Sequence, residues 1–307
     1  MYLCISDCGD VTLQLNCVIK MKNRLFIVDA FTDKPFGGNT AGVVLLEPDS
    51  QFPGDELMQH VAAELRYSET AFVVPTGDNC FSLRYFTPEG EVDLCGHATI
   101  ATFGVLCQEG MVAKGSVCRC RTLAGDLTVK VGERVLMQMA EPRRVDAINS
   151  QTDVEQLCSI MGSNMPDLPI EIISTGLPDI IFPVATLDEL NRLAPDMEAL
   201  REFSRKWGVV GVHAFVLSRG LDDGSTAHVR NFAPLYGVNE ESATGTANAA
   251  LTHYLLIHGF VGRPSECKFV QGEVMNHPSV VTTVIDVGGE IYVGGSSRIV
   301  ARGELLV

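Results

Sequence analysis

The feature that most restricts this chain is an internal repeat. Phe86-Thr87-Pro88 opens one unit and Phe232-Ala233-Pro234 opens a second. Beyond them, Gly96, Ala98, Ala101, Leu106, Gly110 and Val112 match Gly245, Ala247, Ala250, Leu255, Gly259 and Val261, each pair 149 residues apart. The connection from proline to glycine is three residues longer in the second unit, and the register is constant thereafter. Such a register, with a strand before and a turn after, points to duplication rather than coincidence. The length allows this, because 307 residues fit one large domain or two of about 150 residues each.

Around the repeat the hydrophobic pattern gives short strands broken by a few helices. In the first half it predicts strands over Arg24–Phe31, Ala41–Leu46, Thr70–Pro75, Phe81–Phe86, Val117–Thr122 and Asp126–Val131. In the second half it predicts them over Glu171–Ser174, Ile180–Pro183, Ala214–Leu217 and His228–Phe232, then over Cys267–Gln271, Val280–Asp286, Glu290–Gly294 and Ser297–Leu306. Leu57, Val61 and Leu65 recur at four-residue spacing and predict a helix over Asp55–Leu65. More apolar helices are predicted over Gly96–Gln108 and Thr246–His258, stopped by Gly110 and Gly259, which suit a left-handed cap. Between the halves, Glu141-Pro142-Arg143-Arg144 ends strand character and Asp153 begins a new helix. The expected domains are therefore 21–141 and 142–307, the last strand packing back on the first, with 1–20 as an N-terminal extension.

Met1–Lys20 carries Asp7 and Asp10 but neither a basic start nor a continuous apolar run, and reads poorly as a signal peptide. The longest apolar stretches, such as Ala41–Leu46 and Ile180–Ala185, are strand length and too short to span a membrane. Lys and Arg number 23 against 38 Asp and Glu, a net charge of −15 with no basic run, which argues against nucleic acid and anionic lipid as partners. Ten cysteines are too sparse for a disulfide scaffold and form neither a Cys-x-x-Cys pair nor a Cys/His zinc pattern. Cys118 and Cys120 would point the same way on a strand, as structural residues. A reducing cytoplasm is expected, with no metal.

Duplication has a chemical consequence. Two like lobes facing each other bring two helix N-termini to a shared cleft. Each offers unpaired backbone N–H groups and about half a positive charge, suited to a carboxylate or an enolate-like anion. Gly96 and Gly245 at those turns keep a Cβ out of a ligand's way. The densest set of reactive side chains sits at the first turn, in Glu89-Gly90-Glu91-Val92-Asp93-Leu94-Cys95-Gly96-His97-Ala98-Thr99. Its counterpart is Asn239-Glu240-Glu241-Ser242-Ala243-Thr244-Gly245-Thr246-Ala247, and a third piece is Arg66-Tyr67-Ser68-Glu69-Thr70.

These motifs, with Asp29-Ala30-Phe31-Thr32-Asp33-Lys34-Pro35-Phe36-Gly37-Gly38-Asn39 and Ser68-Glu69-Thr70-Ala71-Phe72, resemble the phenazine-biosynthesis PhzF-like family of the diaminopimelate-epimerase-like superfamily. The resemblance covers about Met21 to Val307. It implies an α+β fold of two similar domains, each a curved barrel-like sheet around a central helix, with the active site in the cleft between them. It also implies a homodimer and catalysis without metal, pyridoxal phosphate or nucleotide. Glu69 matches the family's catalytic glutamate, which moves a proton between carbon atoms, and His97 the histidine that holds and polarises the substrate. Glu241 stands where the family's Glu-Asp-Pro-x-Thr-Gly-Ser motif has aspartate, Ser242 where it has proline, and Thr246 where it has serine. Thr40 replaces a proline usual after Gly-Asn. Epimerases of this fold use two opposed cysteines; Cys95 resembles the first, but Thr244 holds the place of the second, so a paired-thiol mechanism is not available.

The resulting expectation is an isomerase without a cofactor, acting on a small carboxylic or amino acid, in which one carboxylate removes a proton and returns it elsewhere. Glu69, His97 and Glu241 are the candidate catalytic residues; Asn39, Ser68, Cys95, Gly96, Gly245 and Thr246 are the candidate substrate contacts. Each has a plainer reading. Glu69 is otherwise an exposed carboxylate in a solvated turn, His97 a satisfied helix-start histidine and Asn39 a turn residue. Cys95 is either a small buried hydrophobe or a thiol whose pKa the helix N-terminus lowers. Glu240 competes with Glu241 for the second acidic role. His60, His213, His253 and His258 show no ligand spacing and are expected on surfaces or core edges, and Gly37-Gly38 and Gly288-Gly289 as turns. Two rival functions are an epimerase using Cys95 with a carboxylate partner, and a non-catalytic protein that binds a small carboxylate or a protein partner.

Overall fold

The computed structural model describes residues 23–306; the expected extension at 1–20 and its junction at Met21 lie outside them. The first half runs β1 (Asn23–Ala30), β2 (Asn39–Leu45), α1 (Asp55–Leu65), β3 (Glu69–Gly77), β4 (Cys80–Phe86), β5 (Glu91–Val92) and α2 (Gly96–Gln108), then β6 (Val117–Thr122), β7 (Gly125–Val131) and β8 (Val135–Gln138). The second runs β9 (Arg143–Ala147), α3 (Gln151–Met161), β10 (Glu171–Ser174), β11 (Pro178–Pro183), α4 (Leu187–Arg192), α5 (Met197–Trp207), β12 (Val212–Leu217), β13 (Ala227–Ala233) and β14 (Val238–Glu241). It continues through α6 (Gly245–Ile257), β15 (Ser265–Gln271), β16 (Ser279–Ile285), β17 (Ile291–Gly295) and β18 (Ser297–Leu305).

The two halves pair their strands in the same way. β2 and β3 run parallel across α1, and β11 and β12 run parallel across α4 and α5. β4 pairs antiparallel with β5 and parallel with β6 across α2; β13 does the same with β14 and β15 across α6. The antiparallel β6–β7–β8 ladder is matched by β15–β16–β17. β8 pairs with β17, joining the halves, and β18 returns to pair with β1. In that scheme β9 is to β10 what β18 is to β1. The expectation that strand character ends at Glu141–Arg144 is therefore corrected: Arg143 and Arg144 begin β9, whose partner β10 is supplied by residues some 30 positions downstream.

α2 and α6 are 13 residues each, apolar on all sides, and sit inside their sheets as such helices must. His97 through Leu106 are all buried. α2 lies so close to β18 that a Cβ on Gly104 would come 1.9 Å from Ser297 Oγ, so glycine there sets the packing distance. Both central helices end at left-handed glycines, Gly110 and Gly259. Cys118 and Cys120, fully buried neighbours on one face of β6, belong to the core around α2. The outer faces of the sheets carry separate apolar layers, one under α1 and one under α3, α4 and α5.

α4, α5 and the short strands β5, β8 and β14 are additions to the sequence reading. α5 is amphipathic, with Leu200 and Phe203 buried and Met197 and Trp207 packed beside them at helical spacing, a pattern the sequence reading passed over. Its ends carry the readable signs: Asp196 accepts from the Glu198 and Ala199 N–H groups, and Gly208 is left-handed. No helix of the described residues is long and apolar enough to cross a membrane. Gly289 is left-handed in the turn between β16 and β17, and Gly38 in the loop before β2, as expected of the glycine pairs that hold them.

Candidate active site

Three chain segments meet at the start of α2. Glu69 begins β3 with Ser68 just before it, Cys95 precedes α2 and His97 is its second residue, and Asn39 begins β2. Glu69 Oε2 lies 3.2 Å from His97 Nε2. That oxygen is buried and makes no hydrogen bond. Ser68 Oγ is also 3.2 Å from His97 Nε2. On the other edge of the ring, Nδ1 is 3.4 Å from both Cys95 Sγ and Asn39 Nδ2.

Asn39, the first residue of β2 in the same lobe, reaches across to the other lobe. Its amide nitrogen donates to Glu241 Oε1 at 3.0 Å and to the Ala243 carbonyl at 3.1 Å, and both of its protons are thereby engaged. Nδ1 of His97 is then left to accept from the Cys95 thiol, which puts the ring proton on Nε2, where Ser68 Oγ accepts it. Thr244 Oγ1 donates to Glu241 Oε2 at 2.5 Å. Glu240, in contrast, is held by Arg230 through two bonds of 2.8 Å and points to that pair rather than to the site. Of the two adjacent glutamates, Glu241 is the one brought to Asn39.

Cys95 and Thr244 occupy equivalent places, each immediately before its central helix, and neither forms a side-chain capping hydrogen bond. The first N–H groups of both helices are thus free of side-chain caps. A Cβ on Gly96 would meet nothing nearer than the Met137 methyl at 3.7 Å, and one on Gly245 nothing nearer than Val293 at 3.5 Å. The protein's own packing does not require glycine at either position. Thr246, half-buried, has its carbonyl bound by the Thr175 hydroxyl at 3.0 Å.

Electrostatics at this place are acidic. Burial, then the Glu69 carboxylate, pushes the Cys95 thiol well above its ordinary pKa, against a smaller opposing effect of the Ala98 N–H. The expectation that the helix N-terminus lowers it is overturned, because burial and two nearby carboxylates outweigh one helix end. Burial also raises Glu241; the His97 ring and the Thr244 hydroxyl act the other way. Asp179 on β11, buried and not singled out by the sequence, is pushed up to about 8 by burial and then by Glu241.

Where motif residues depart from the family pattern, hydrogen bonds take over. Thr40 donates to Asp29 Oδ1 at 2.7 Å, and Asp29 Oδ2 accepts from the Phe36 N–H at 2.8 Å. Ser242 donates to the Gly38 carbonyl at 2.8 Å, tying the second lobe's motif loop to the first lobe's. Gly38 itself is indispensable, since a Cβ there would come 2.0 Å from the Ala30 carbonyl oxygen. Phe31 adopts φ 64° in the same loop, a strained conformation for an aromatic residue of the kind that collects at functional sites.

Gln271, buried at the end of β15, was also unmarked by any sequence pattern. Its side chain accepts from Thr244 N and Asn248 Nδ2 and donates to the Glu241 carbonyl, so it fixes the turn into α6. His213 is fully buried rather than at a surface or core edge; it bridges Asn231 and Asn248, and burial lowers it to about 4. An open cavity of about 630 Å³ beside the Thr32–Gly37 loop, lined by Phe36, Arg134, Lys268 and Val280 among others, includes none of the candidate residues.

Comparison with known proteins identifies relatives of the chain. Residues 28–303 match the family model described as phenazine biosynthesis-like protein. The uncharacterized isomerase YddE of Escherichia coli K12 is 31% identical over 304 residues, covering 92% of this chain and 98% of the relative. The uncharacterized isomerase YfhB of Bacillus subtilis is 33% identical over 275 residues, covering 86% and 92%. The crystal structure of the Bacillus anthracis phenazine biosynthesis protein of the PhzF family superposes with a TM-score of 0.80 at 30% identity, covering 93% of this chain and 99% of the other. The fold is thus the two-lobed α+β arrangement of these proteins, and the chain belongs to the phenazine biosynthesis-like protein family.

Proposed function

We propose that this protein is an isomerase that moves a proton between carbon atoms of a small carboxylic or amino acid, with Glu69 serving as base and then as acid. The observation that carries the reading is the Glu69 carboxylate oxygen, buried, without a hydrogen bond, and 3.2 Å from His97 Nε2. In the forward step Glu69 takes a proton from an activated C–H bond and becomes a carboxylic acid. The electron pair left behind spreads onto the substrate's carbonyl oxygen as an enolate. Glu69 then delivers the same proton to a different carbon, and the carbonyl re-forms. No group beyond the chain and substrate enters the balance.

The remaining residues have matching tasks in this proposal. The uncapped N-termini of α2 and α6, at Gly96 and Gly245, stabilise the negative charge that develops on oxygen. His97 presents its Nε2 proton toward the same region, and Asn39 holds Glu241 in place. Isomerase names among relatives that share about a third of their residues support the reaction class. Thr244 in the second cap position weighs against a pair of opposed thiols.

The test is proton exchange in heavy water with a panel of small unsaturated and amino acids. Deuterium gained by one compound, at a carbon that also changes bonding, supports the reading. Tight binding without any exchange would make the protein a binder and end it.

A further inference from the structure

The second lobe carries an acid that the proposed reaction leaves unused. Asp179 is the second residue of β11, stands opposite Ile173 of β10, and is only 3% exposed. Side chains alternate between the faces of a strand. Ile180 and Phe182 pack in the outer layer under α3, α4 and α5, whereas Ile181 and Ile173 belong to the core around α6. Asp179 therefore shares the inner face with Ile181. It lies at the end of β11 that the Thr175–Thr246 hydrogen bond ties to the first turn of α6. Its carboxyl has no hydrogen bond and no ion pair among the described residues. A buried polar group so placed is costly unless a ligand supplies its partner.

The charge around it is one-sided. Glu241 accepts through both oxygens, from Asn39 and from Thr244, as a carboxylate does. Burial, then Glu241, pushes Asp179 up to about 8. Glu69, whose charge also acts on Glu241, is a third acid. His97 carries a single ring proton and is neutral, and no Lys or Arg pairs with any of the three acids among the described residues. The positive partner that this arrangement suits does not come from the chain.

We infer that Asp179 and Glu241 together receive the protonated amine of the substrate, so that Asp179 selects an amino acid over the acid of the same skeleton without nitrogen. The inference rests on the isomerase reading of this site and narrows its substrate class. The ammonium N–H groups donate to the two carboxyl groups, and the uncapped N–H groups at Gly245 suit the carboxylate of the same molecule. The protons balance as follows. Asp179 goes from carboxylic acid to carboxylate, its proton leaves to solvent, and the amine keeps all of its own. Near pH 6.5, below the value of about 8, one proton is thus released per amino acid bound.

The experiment measures binding rather than turnover. 2-Amino-3-butenoate and 3-butenoate, which differ only in the amine, are titrated calorimetrically against the whole chain near pH 6.5. Buffers of different ionisation enthalpy count the protons released. The wild type should bind the amino compound about tenfold or more tighter, in line with charge-assisted hydrogen bonds, and release about one proton with it. Asp179→Asn should bind 3-butenoate as before while losing the preference and the proton release. Equal affinity for the two compounds, no binding of the amino compound at millimolar concentration, or amine binding without proton release overturns the inference; all three are read from the wild type alone. An undiminished preference in folded Asp179→Asn overturns it as well. Preference for the amine with no deuterium exchange keeps the Asp179 site and ends the isomerase reading. Exchange into 3-butenoate as fast as into its amino counterpart does the reverse.

Discussion

Glu69 Oε2 and His97 Nε2 stand 3.2 Å apart, yet the oxygen is buried with no hydrogen bond. Leaving a buried polar atom unpaired costs on the order of 1–3 kcal/mol. A fold tolerates such an atom where function needs it, and here it lies beside the start of α2, with the His97 ring between it and the Asn39–Glu241 bridge.

The first prediction concerns that atom. Glu69→Gln keeps the size of the side chain and removes its basicity. Proton exchange into the substrate should fall by about 10³-fold, within the range that general acid–base catalysis supplies. Thermal unfolding and ligand affinity should change little. Undiminished exchange in this variant would show that another group moves the proton.

Cys95 gives a second prediction, of opposite sense. Its thiol is held protonated by burial and by Glu69, and Thr244 stands in the equivalent position of the other lobe. Cys95→Ala should therefore slow turnover by no more than about tenfold, through lost contact with His97 rather than lost chemistry. Iodoacetamide should react slowly with this thiol at neutral pH. A loss as large as that of Glu69→Gln would transfer the role of base to the thiol.

What the sequence made legible follows from which forces act locally. α2 was read to the residue because a helix apolar on every side, opened and closed by glycine, has only one place in a sheet protein. The duplicated turn was legible from its matched glycines, and it set Cys95 and His97 at one helix start and Glu241 before the other, whereas Glu69 was reached only through the family resemblance. β9 was not legible, since Arg143–Ala147 becomes a strand only through β10. Gln271 was hidden too: its hydrogen bonds reach back as far as Glu241, and no local pattern encodes them. The direction of the Cys95 shift was misread because a helix end is visible in sequence, whereas burial and the charge of Glu69 are properties of the folded chain.

A third prediction tests how α2 is seated. A methyl group at Gly104 would fall 1.9 Å from Ser297 Oγ and 3.0 Å from Ser297 Cβ. Gly104→Ala gains helix propensity of up to about 1 kcal/mol but must push β18 outward. Overpacking of this kind costs about 1–3 kcal/mol, and a net loss of stability is expected in urea unfolding. Combining it with Ser297→Gly should recover most of the loss, because both clashing atoms are removed. If the double variant is as unstable as the single one, the close approach of α2 and β18 is not the cause.

The last prediction takes its sign from two buried groups that titrate in opposite senses. Asp179 ionises ordinarily at 3.8 but at about 8 in the fold, so between those values the folded state binds the extra proton. Stability then falls as pH rises, by at most about 1.4 kcal/mol per pH unit. His213 behaves in reverse: its ordinary 6.5 is lowered to about 4, so below 6.5 the unfolded chain binds the extra proton and stability falls as pH drops. The two oppose each other between about 4 and 6.5, while above 6.5 Asp179 acts without His213. Urea midpoints measured at pH 6.5 and 8 should decline in the wild type and decline less in Asp179→Asn, which cannot ionise. Below 6.5 the same variant should lose stability toward pH 4 more steeply than the wild type, because the opposing slope of Asp179 is gone. Parallel curves for the two proteins across the whole range would mean that Asp179 is not a carboxyl kept protonated beside Glu241.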